Sequence, residues 1–264
     1  MKLLTYPDKA LDSSKLWHIC KGLGIELTND IDCDFDRAIY WNMNTISVPD
    51  EKIRTVPNVI NIRCTNVSKD LVDDTWCKVA GYTISVDPEK FKYRYVRKSK
   101  LQYRNHLGVR HDGVIFKHNQ KPDDRYVYQR LVNTKTELGY AAIRVPVFKD
   151  GIPCLVIKYN QHKFRNRGCT VEVIPQAPID SQFYVMRDEF PDWISTEELR
   201  WLRRFCKLIG ADFAEIDMIR DVETKMIYAI DVNNLSGKGF FEGYGDMSKN
   251  IQKMFIESFK QYLL

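Results

Sequence analysis

The sequence predicts an α+β protein built on mainly antiparallel sheets, preceded by a small α/β domain over residues 1–65. Two observations support this prediction. Residues 1–65 combine a strand-like segment, a helix-like segment and two further strand-like segments. Across residues 82–159, short segments rich in β-branched and aromatic residues are separated by Gly, Pro, Asp and Asn, as in hairpins. The 264 residues suffice for one large domain or two to three small ones.

The small first domain is predicted to contain one helix and three strands. The helix covers residues 13–23, and the strands are the segments KLLTY, RAIYWN and NVINIR. A second helix fits residues 69–80, because Ser68 is a good N-cap and Gly81 a good C-terminal stop.

The central region is predicted as strands joined by tight turns. One hairpin is clear, with Asp150 and Gly151 at its tip between two apolar strands. The predicted strands are YTISVD, YRYVRK, GVIFKH, RYVYQRLV, YAAIRVPVF and CLVIKY.

The C-terminal region returns to helices around one more pair of strands. Ser195 and Glu198 form a capping-box pattern in a helix over residues 194–209, and Gly210 ends it. The strands ADFAEIDMIR and KMIYAIDVNN follow, and an amphipathic helix closes the sequence.

Composition favours a soluble, cytoplasmic protein. The formal net charge is +5, and no apolar run approaches the roughly 20 residues that span a bilayer. The N-terminal apolar stretch is too short for a signal peptide. The seven cysteines are scattered singly, without zinc-site spacing, and we expect reduced thiols.

The densest basic stretch, residues 92–110, has aromatic residues interleaved with its cations. Three interpretations are open: a surface for single-stranded nucleic acid, the exposed face of a sheet, or a surface that grips phosphate. We favour the phosphate-gripping surface, and we expect neither nucleic acid nor a membrane as a partner.

The two late strands place polar groups in line with core residues. Alternate residues of a strand share a face, so Glu215 lies with Asp217. For the same reason Asp231 lies with Asn233 on the second strand. The two pairs converge only if the connecting loop has an odd number of residues or a strand carries a bulge.

A three-residue loop around residues 221–225 would set Asp217 opposite Ala229 or Asp231. Two carboxylates and an amide oxygen would then form a site of hard oxygen ligands, which suits Mg²⁺. The alternative is that Asp217 and Asp231 are ordinary residues on a solvated face at the end of the sheet.

The segment IGADFAEIDMIRD followed by KMIYAIDVNN resembles the end of the ATP-grasp family. In that family an acid on one strand, followed by an acid-x-Asn on the next, holds one or two Mg²⁺ ions on ATP. The resemblance implies that Asp217, Asp231 and Asn233 are metal ligands. It also implies two α+β subdomains that grip ATP, a lid over residues 66–133 and a core over residues 134–264.

Residues that bind ATP are implied upstream. Lys69 and Lys98 look like the two family lysines that bind phosphates, and RYVYQRLVN resembles the hinge strand over the adenine. Gln129 stands where many members have an acid, and backbone groups of Arg130 and Leu131 would read the adenine edge. The alternatives are a surface lysine at position 69 and a snorkelling lysine at position 98.

Three cations are implied at the substrate end. Arg144 resembles the family arginine that is directed toward the transferred phosphate or the acyl-phosphate. Lys158 and Arg165 follow it and would extend a catalytic wall of positive charge. The alternative for Arg144 is a strand arginine on the solvated face.

The sequence departs from the family pattern at two places. The lid segment SKLQYRNHLGVRHDG holds only Gly108 and Gly113, where many members are rich in glycine. Either side chains such as Arg104 replace backbone amides at the phosphates, or the loop is an ordinary hairpin turn. Asp231 stands where many members have Glu, which gives the carboxylate a shorter reach.

The resemblance implies an ATP- and Mg²⁺-dependent ligase that joins a carboxylate to an amine through an acyl-phosphate. The implied partner is a small-molecule or peptide substrate with a carboxylate. Two alternatives are open: a kinase of the same fold, and a non-enzymatic basic module that binds nucleic acid or protein.

Overall fold

A computed structural model gives the fold of the chain over six ranges: 1–101, 114–116, 121–160, 170–175, 193–233 and 246–264. The N-terminal range begins with a small α/β layer, as the sequence predicts, and its strands are parallel. Its central strand β1 pairs in parallel with β2 on one side and β3 on the other. The elements are β1 (Lys2–Pro7), α1 (Lys15–Leu23), β2 (Glu26–Thr28), β3 (Arg37–Trp41) and α2 (Glu51–Thr55).

The prediction that NVINIR forms a strand is wrong. Ile60 makes one isolated parallel bridge, to Ile39, and the chain then turns. The physical cause is backbone geometry, because Asn58 and Asn61 take left-handed φ values of 53° and 62°. An extended run cannot continue through such residues.

A small antiparallel sheet follows, with β4 (Tyr95–Ser99) between β5 (Val114–Phe116) and β6 (Tyr126–Arg130). Because cross-strand partners share a face, Lys98 lies on the same face as its partner Val127 and as Gln129. The predicted strand YTISVD contributes only an isolated bridge, from Ser85 to Gln129.

The large sheet has the strand order β10-β9-β8-β11-β12, with β7 paired to β8, and all its pairs are antiparallel. The sequence interpretation missed β7 and β10. The strands are β7 (Lys135–Thr136), β8 (Gly139–Phe148), β9 (Cys154–Asn160), β10 (Thr170–Pro175), β11 (Phe213–Arg220) and β12 (Ile227–Asn233).

One face of this sheet is apolar and packs on two helices, α3 (Lys69–Ala80) and α4 (Thr196–Ile209). The capping box of Ser195 and Glu198 starts α4, as predicted. Trp76 of α3 is fully buried, and its indole N–H donates to the Ile227 carbonyl at 3.0 Å. The predicted boundary at residue 66 groups α3 with the small sheet, although α3 packs on the large one, and the domain boundaries stay predictions.

The other face of the large sheet is divided. Near the β8–β9 turn, Phe148 and Phe213 pack on α1 and on the C-terminal helix α5 (Asp246–Leu263). Further along the same strands, charged residues replace the apolar ones. In the described ranges, no helix has the length and apolar character needed to cross a bilayer, and the six cysteines there are free.

Candidate active site

The turn between β11 and β12 is longer than predicted. Arg220 pairs with Ile227, so residues 221–226 form a six-residue connection, and the three-residue loop is wrong. An even loop with a regular ladder would set Asp217 opposite Ile230 and turn the polar pairs to opposite faces.

A β-bulge in β12 reverses that outcome. The register shifts by one residue between Asp217 and Met218, which leaves Ile230 as the extra residue. Asp217 therefore pairs with Asp231, and Glu215 with Asn233. Of the two conditions that the sequence left open, an odd-length loop or a bulge, the structure shows the bulge.

Arg144 of β8 completes a row of charges across three strands. It is the register partner of Asp217. Its Nε donates to Asp217 Oδ1 at 2.6 Å and its Nη2 to Oδ2 at 2.9 Å, a bidentate pair. Burial disfavours the guanidinium charge, but Asp217 and Glu215 outweigh burial and raise the pKa of Arg144. The solvated-face alternative does not describe this residue, whose side chain is 21% exposed.

Glu215 lies deeper in the same row and meets two cations. Its Oε1 is 2.5 Å from Nζ of Lys15, and its Oε2 accepts from Nη1 of Arg144 at 3.4 Å. Lys15 opens α1 and is fully buried, and burial lowers its pKa although Glu215 opposes the shift.

Sequence reasoning missed Lys15. The signal available was weak: a cation in the first turn of a helix, after the N-cap Ser14, where the helix dipole disfavours it. Its partner Glu215 lies 200 residues away in the chain, and sequence spacing cannot reveal such a pair.

Lys69 reaches the row from the first turn of α3. Its Nζ lies 3.7 Å from Asp231 Oδ1, and the two side chains are 15% and 25% exposed. Its backbone N–H donates to the Lys100 carbonyl at 3.0 Å, which ties the start of α3 to the end of β4. The structure thus places Lys69 beside a predicted metal ligand.

Lys98 faces the same charges from the small sheet. The pKa of its ammonium is lowered to about 8, mainly by burial and also by Lys69, although Asp231 and Asp217 oppose the shift. These electrostatic neighbours show that Lys98 of β4 lies near the carboxylates of the large sheet.

Lys158 lies on the Arg144 face of the large sheet, because Arg144 pairs with Val156, two residues earlier in β9. Burial lowers the pKa of Lys158 to about 8, and Arg144 adds to the shift, whereas Asp217 and Glu215 oppose it. The third predicted cation, Arg165, lies outside the described residues.

The predicted hinge carries an unusual buried polar group. Gln129 is 1% exposed, and its Oε1 accepts no hydrogen bond from the described part of the chain. The backbone N–H of Arg130 donates to the Ile84 carbonyl at 2.9 Å, so an adenine contact at Arg130 would fall to its carbonyl oxygen. Leu131 follows β6 and is partly buried.

Positive charge exceeds negative charge around this row. Among the described residues, five cations lie near three carboxylates, an excess of two. Such an arrangement suits a polyanion. The cations are Lys15, Lys69, Lys98, Arg144 and Lys158, and the carboxylates are Glu215, Asp217 and Asp231.

The donor set also fits a magnesium ion that is shared with a ligand. In the described ranges, no group of three or more His, Cys, Asp or Glu side chains could hold a metal by itself. Asn233 donates through Nδ2 to Asp217 Oδ2 at 3.4 Å, which directs its amide toward the carboxylates. Asp217 keeps coordination capacity beside Arg144, because each carboxylate oxygen has two lone pairs. Mg²⁺ commonly takes few protein oxygens and completes its shell with phosphate and water.

Known structures resemble this chain over nearly its whole length. One is the ATP-grasp ligase PsnB complexed with the precursor peptide PsnA2 and AMPPNP, at a TM-score of 0.58 and 13% identity, over 98% of each chain. Another is the D-alanine–D-alanine ligase of Bacillus anthracis complexed with ATP, at 0.56 and 11%, over 99% of this chain and 96% of the ligase.

The macrocyclase MdnC of Microcystis aeruginosa MRC, bound to its precursor peptide MdnA, gives a TM-score of 0.55 at 11% identity, over 97% of this chain and 98% of MdnC. In two other PsnB complexes the chain covers only 64% and 58% of the ligase, at TM-scores of 0.45 and 0.44. No family model and no curated protein matches the sequence. At these identities the likeness concerns the fold, and the chain has the ATP-grasp fold that the sequence predicts.

Proposed function

We propose that the chain is an ATP- and Mg²⁺-dependent ligase that joins a substrate carboxylate to an amine through an acyl-phosphate. The observation that supports this most directly is the meeting of separate elements at one row of charged residues. Lys98 of the small sheet and Lys69 of α3 both lie within electrostatic reach of Asp231 on the large sheet. Two cations facing a pair of carboxylates is an arrangement suited to a phosphate chain with its metal.

The adenine end is proposed at the hinge. Gln129 Oε1 is buried and accepts no hydrogen bond within the described ranges, which is unfavourable by about 1–3 kcal/mol, and an exocyclic amine would satisfy it. An apolar cluster adjoins the hinge and would cover a purine ring. It contains Ile84, Val132 and Tyr228, with Ile219 and Ile230 packed against them.

The phosphate end is proposed at the charged row. Lys69 and Lys98 would bind the phosphates, and Asp217, Asp231 and Asn233 would hold Mg²⁺. The bound ion would neutralise charge on the phosphate oxygens. The protein supplies fixed positive charge beside it, in a partly buried site where electrostatic interactions are stronger than in water.

The substrate end is proposed beside Arg144 and Lys158, with Arg165 as a further candidate. Arg144 is held by Asp217 and Glu215, so it offers charge at a fixed position. Such preorganised charge would stabilise the oxygens of an acyl-phosphate, and the reaction requires no nucleophilic side chain. PsnB and MdnC are complexed with precursor peptides, which favours a peptide as substrate of this chain.

Binding of the nucleotide is tested by thermal unfolding of the intact protein. ATP with Mg²⁺ should raise the melting temperature, because a ligand that binds only the native state stabilises it. A double variant, Asp217→Asn with Asp231→Asn, should lose the magnesium-dependent part of this shift. Asp150→Asn is the matched control, since that exposed carboxylate pairs with Lys207 at the far turn of β8. An intact protein without any shift would contradict the proposal.

The reaction type is tested by the products. A ligase should release free phosphate only when a carboxylate and an amine are both present, in a screen of peptide and amino acid substrates. Formation of ADP with the phosphate retained on the product would instead identify a kinase of the same fold.

A further inference from the structure

We propose that Lys15 and Glu215 are positioning residues that keep Arg144 on Asp217, so that the N-terminal layer controls the geometry of the metal end. The inference rests on the proposed function, because it concerns the same magnesium site. Neither residue is proposed to touch the ligand, because the two are buried and their charges are satisfied by each other and by Arg144.

Glu215 is a carboxylate shared between two cations. Lys15 Nζ lies 2.5 Å from one oxygen, and Arg144 Nη1 lies 3.4 Å from the other. Arg144 meanwhile makes its two shorter contacts, 2.6 and 2.9 Å, to Asp217. The guanidinium thus favours Asp217, and its contact with Glu215 is long for a charge-assisted hydrogen bond.

The charge of Lys15 explains this preference. A buried carboxylate needs a full positive partner, because an uncompensated buried charge is strongly unfavourable. Lys15 provides that partner, so Glu215 does not draw the guanidinium away from Asp217. Without Lys15, Glu215 would attract Nη1 over the 3.4 Å gap, and the bidentate pair with Asp217 would be weakened.

A second contact holds the N-terminal layer against the same strand. Asn61 Oδ1 accepts from the backbone N–H groups of Asp212 and Phe213, both at 2.8 Å, and its Nδ2 donates to the Phe213 carbonyl at 2.7 Å. The start of β11 is therefore fixed two residues before Glu215. Lys15 therefore reaches the charged row from a layer whose position relative to β11 is already fixed by Asn61.

The test measures the magnesium concentration that gives half of the ATP-dependent rise in melting temperature, in the full chain. Lys15→Met should raise this concentration about tenfold, which is the lower end of the usual effect of residues that orient metal ligands. A double variant, Lys15→Met with Glu215→Gln, removes both charges and should return it to within about twofold of the parent.

Ile19→Val is the matched control, because Ile19 is a buried residue of the same helix outside the charged row. It should lower the melting temperature without changing the magnesium dependence. If Lys15→Met does not fold, Lys15→Gln keeps a hydrogen-bond donor without the charge and should shift the magnesium dependence in the same direction.

The outcomes separate this inference from the proposed function. If the intact protein shows no stabilisation by ATP and Mg²⁺, the proposed function fails. If it does, and the Lys15 variants keep the parent's magnesium dependence, the positioning role is overturned. The role is also overturned if the double variant needs as high a magnesium concentration as Lys15→Met. The effect of Lys15→Met would then come from lost packing rather than from lost charge.

Discussion

Lys98 is one residue through which pH should act on nucleotide binding. Burial lowers the pKa of its ammonium to about 8. A phosphate chain favours the protonated form, so ATP affinity should be full below pH 8 and fall as pH rises through it. We expect about a tenfold loss between pH 7 and pH 9, measured by calorimetry.

Two comparisons isolate this effect. Arginine stays protonated across that range, so Lys98→Arg should flatten the profile; an unchanged slope would contradict the assignment. Stability of the ligand-free protein should change in the opposite sense. The unfolded lysine has a pKa near 10.5 and binds the proton more tightly, so the contribution of Lys98 to stability rises between pH 8 and 10.5.

Replacing Gln129 should weaken ATP binding without destabilising the protein. Because its buried Oε1 has no partner in the described ranges, Gln129→Leu should not lower the free energy of unfolding of the ligand-free protein. ATP affinity should fall by about tenfold, since one hydrogen bond to the base is lost. Inorganic triphosphate is the control ligand, and its binding should be unchanged. Equal losses for both ligands would remove Gln129 from the adenine site.

At the scale of single elements, Gly210 shows how tightly the end of α4 is packed. Its φ is 76°, and a Cβ there would lie 2.5 Å from the backbone carbon of Arg63. Gly210→Ala should therefore combine left-handed strain with overpacking, for a loss of about 2–4 kcal/mol in the free energy of unfolding by urea. Gly24→Ala, at a φ of 66° with no atom within 4 Å, carries the strain alone. Equal losses in the two variants would show that the contact with Arg63 relaxes.

Elements marked by local signals were predicted well. The terminal glycines Gly81 and Gly210 end α3 and α4 as expected, and the capping box of Ser195 starts α4, because capping depends on neighbouring residues. Ser68 stands at the N-cap position of α3, but its side chain makes no capping hydrogen bond. The strand NVINIR failed at Asn58 and Asn61, where asparagine takes a left-handed conformation that a hydrophobic pattern does not show. The sequence could not decide between an odd-length loop and the bulge that occurs at Ile230, because strand register depends on partners across the sheet.

At the scale of the whole molecule, Asn61 joins the N-terminal layer to the large sheet. Its amide bonds three backbone groups of Asp212 and Phe213. Asn61→Ala would leave these buried groups without their partner, and we expect a loss of about 3 kcal/mol or more in the free energy of unfolding. The exposed Asn58 has a similar φ, so Asn58→Ala measures the backbone strain alone. Similar losses in both variants would show that the bridge contributes little.

The assembled site was predictable only in part. Parity within strands placed Asp217 with Glu215 and Asp231 with Asn233, and the family resemblance supplied the candidate lysines. What sequence spacing could not give is the contact of Lys15 with Glu215, which depends on how two layers pack. The same holds for the pairing of Arg144 with Asp217, which depends on strand order.

The bulge in β12 also brings two successive side chains to the same face of the sheet. In a regular strand, neighbours point to opposite faces. Here Ile230 packs with the apolar cluster beside the hinge, and Asp231 meets Lys69 in the charged row. The peptide unit between Ile230 and Asp231 would then hold the proposed adenine site and the proposed magnesium site at a fixed distance from each other. A nucleotide with the same base and a shorter phosphate chain would contact the adenine site without reaching the magnesium site. Its binding should therefore not depend on magnesium.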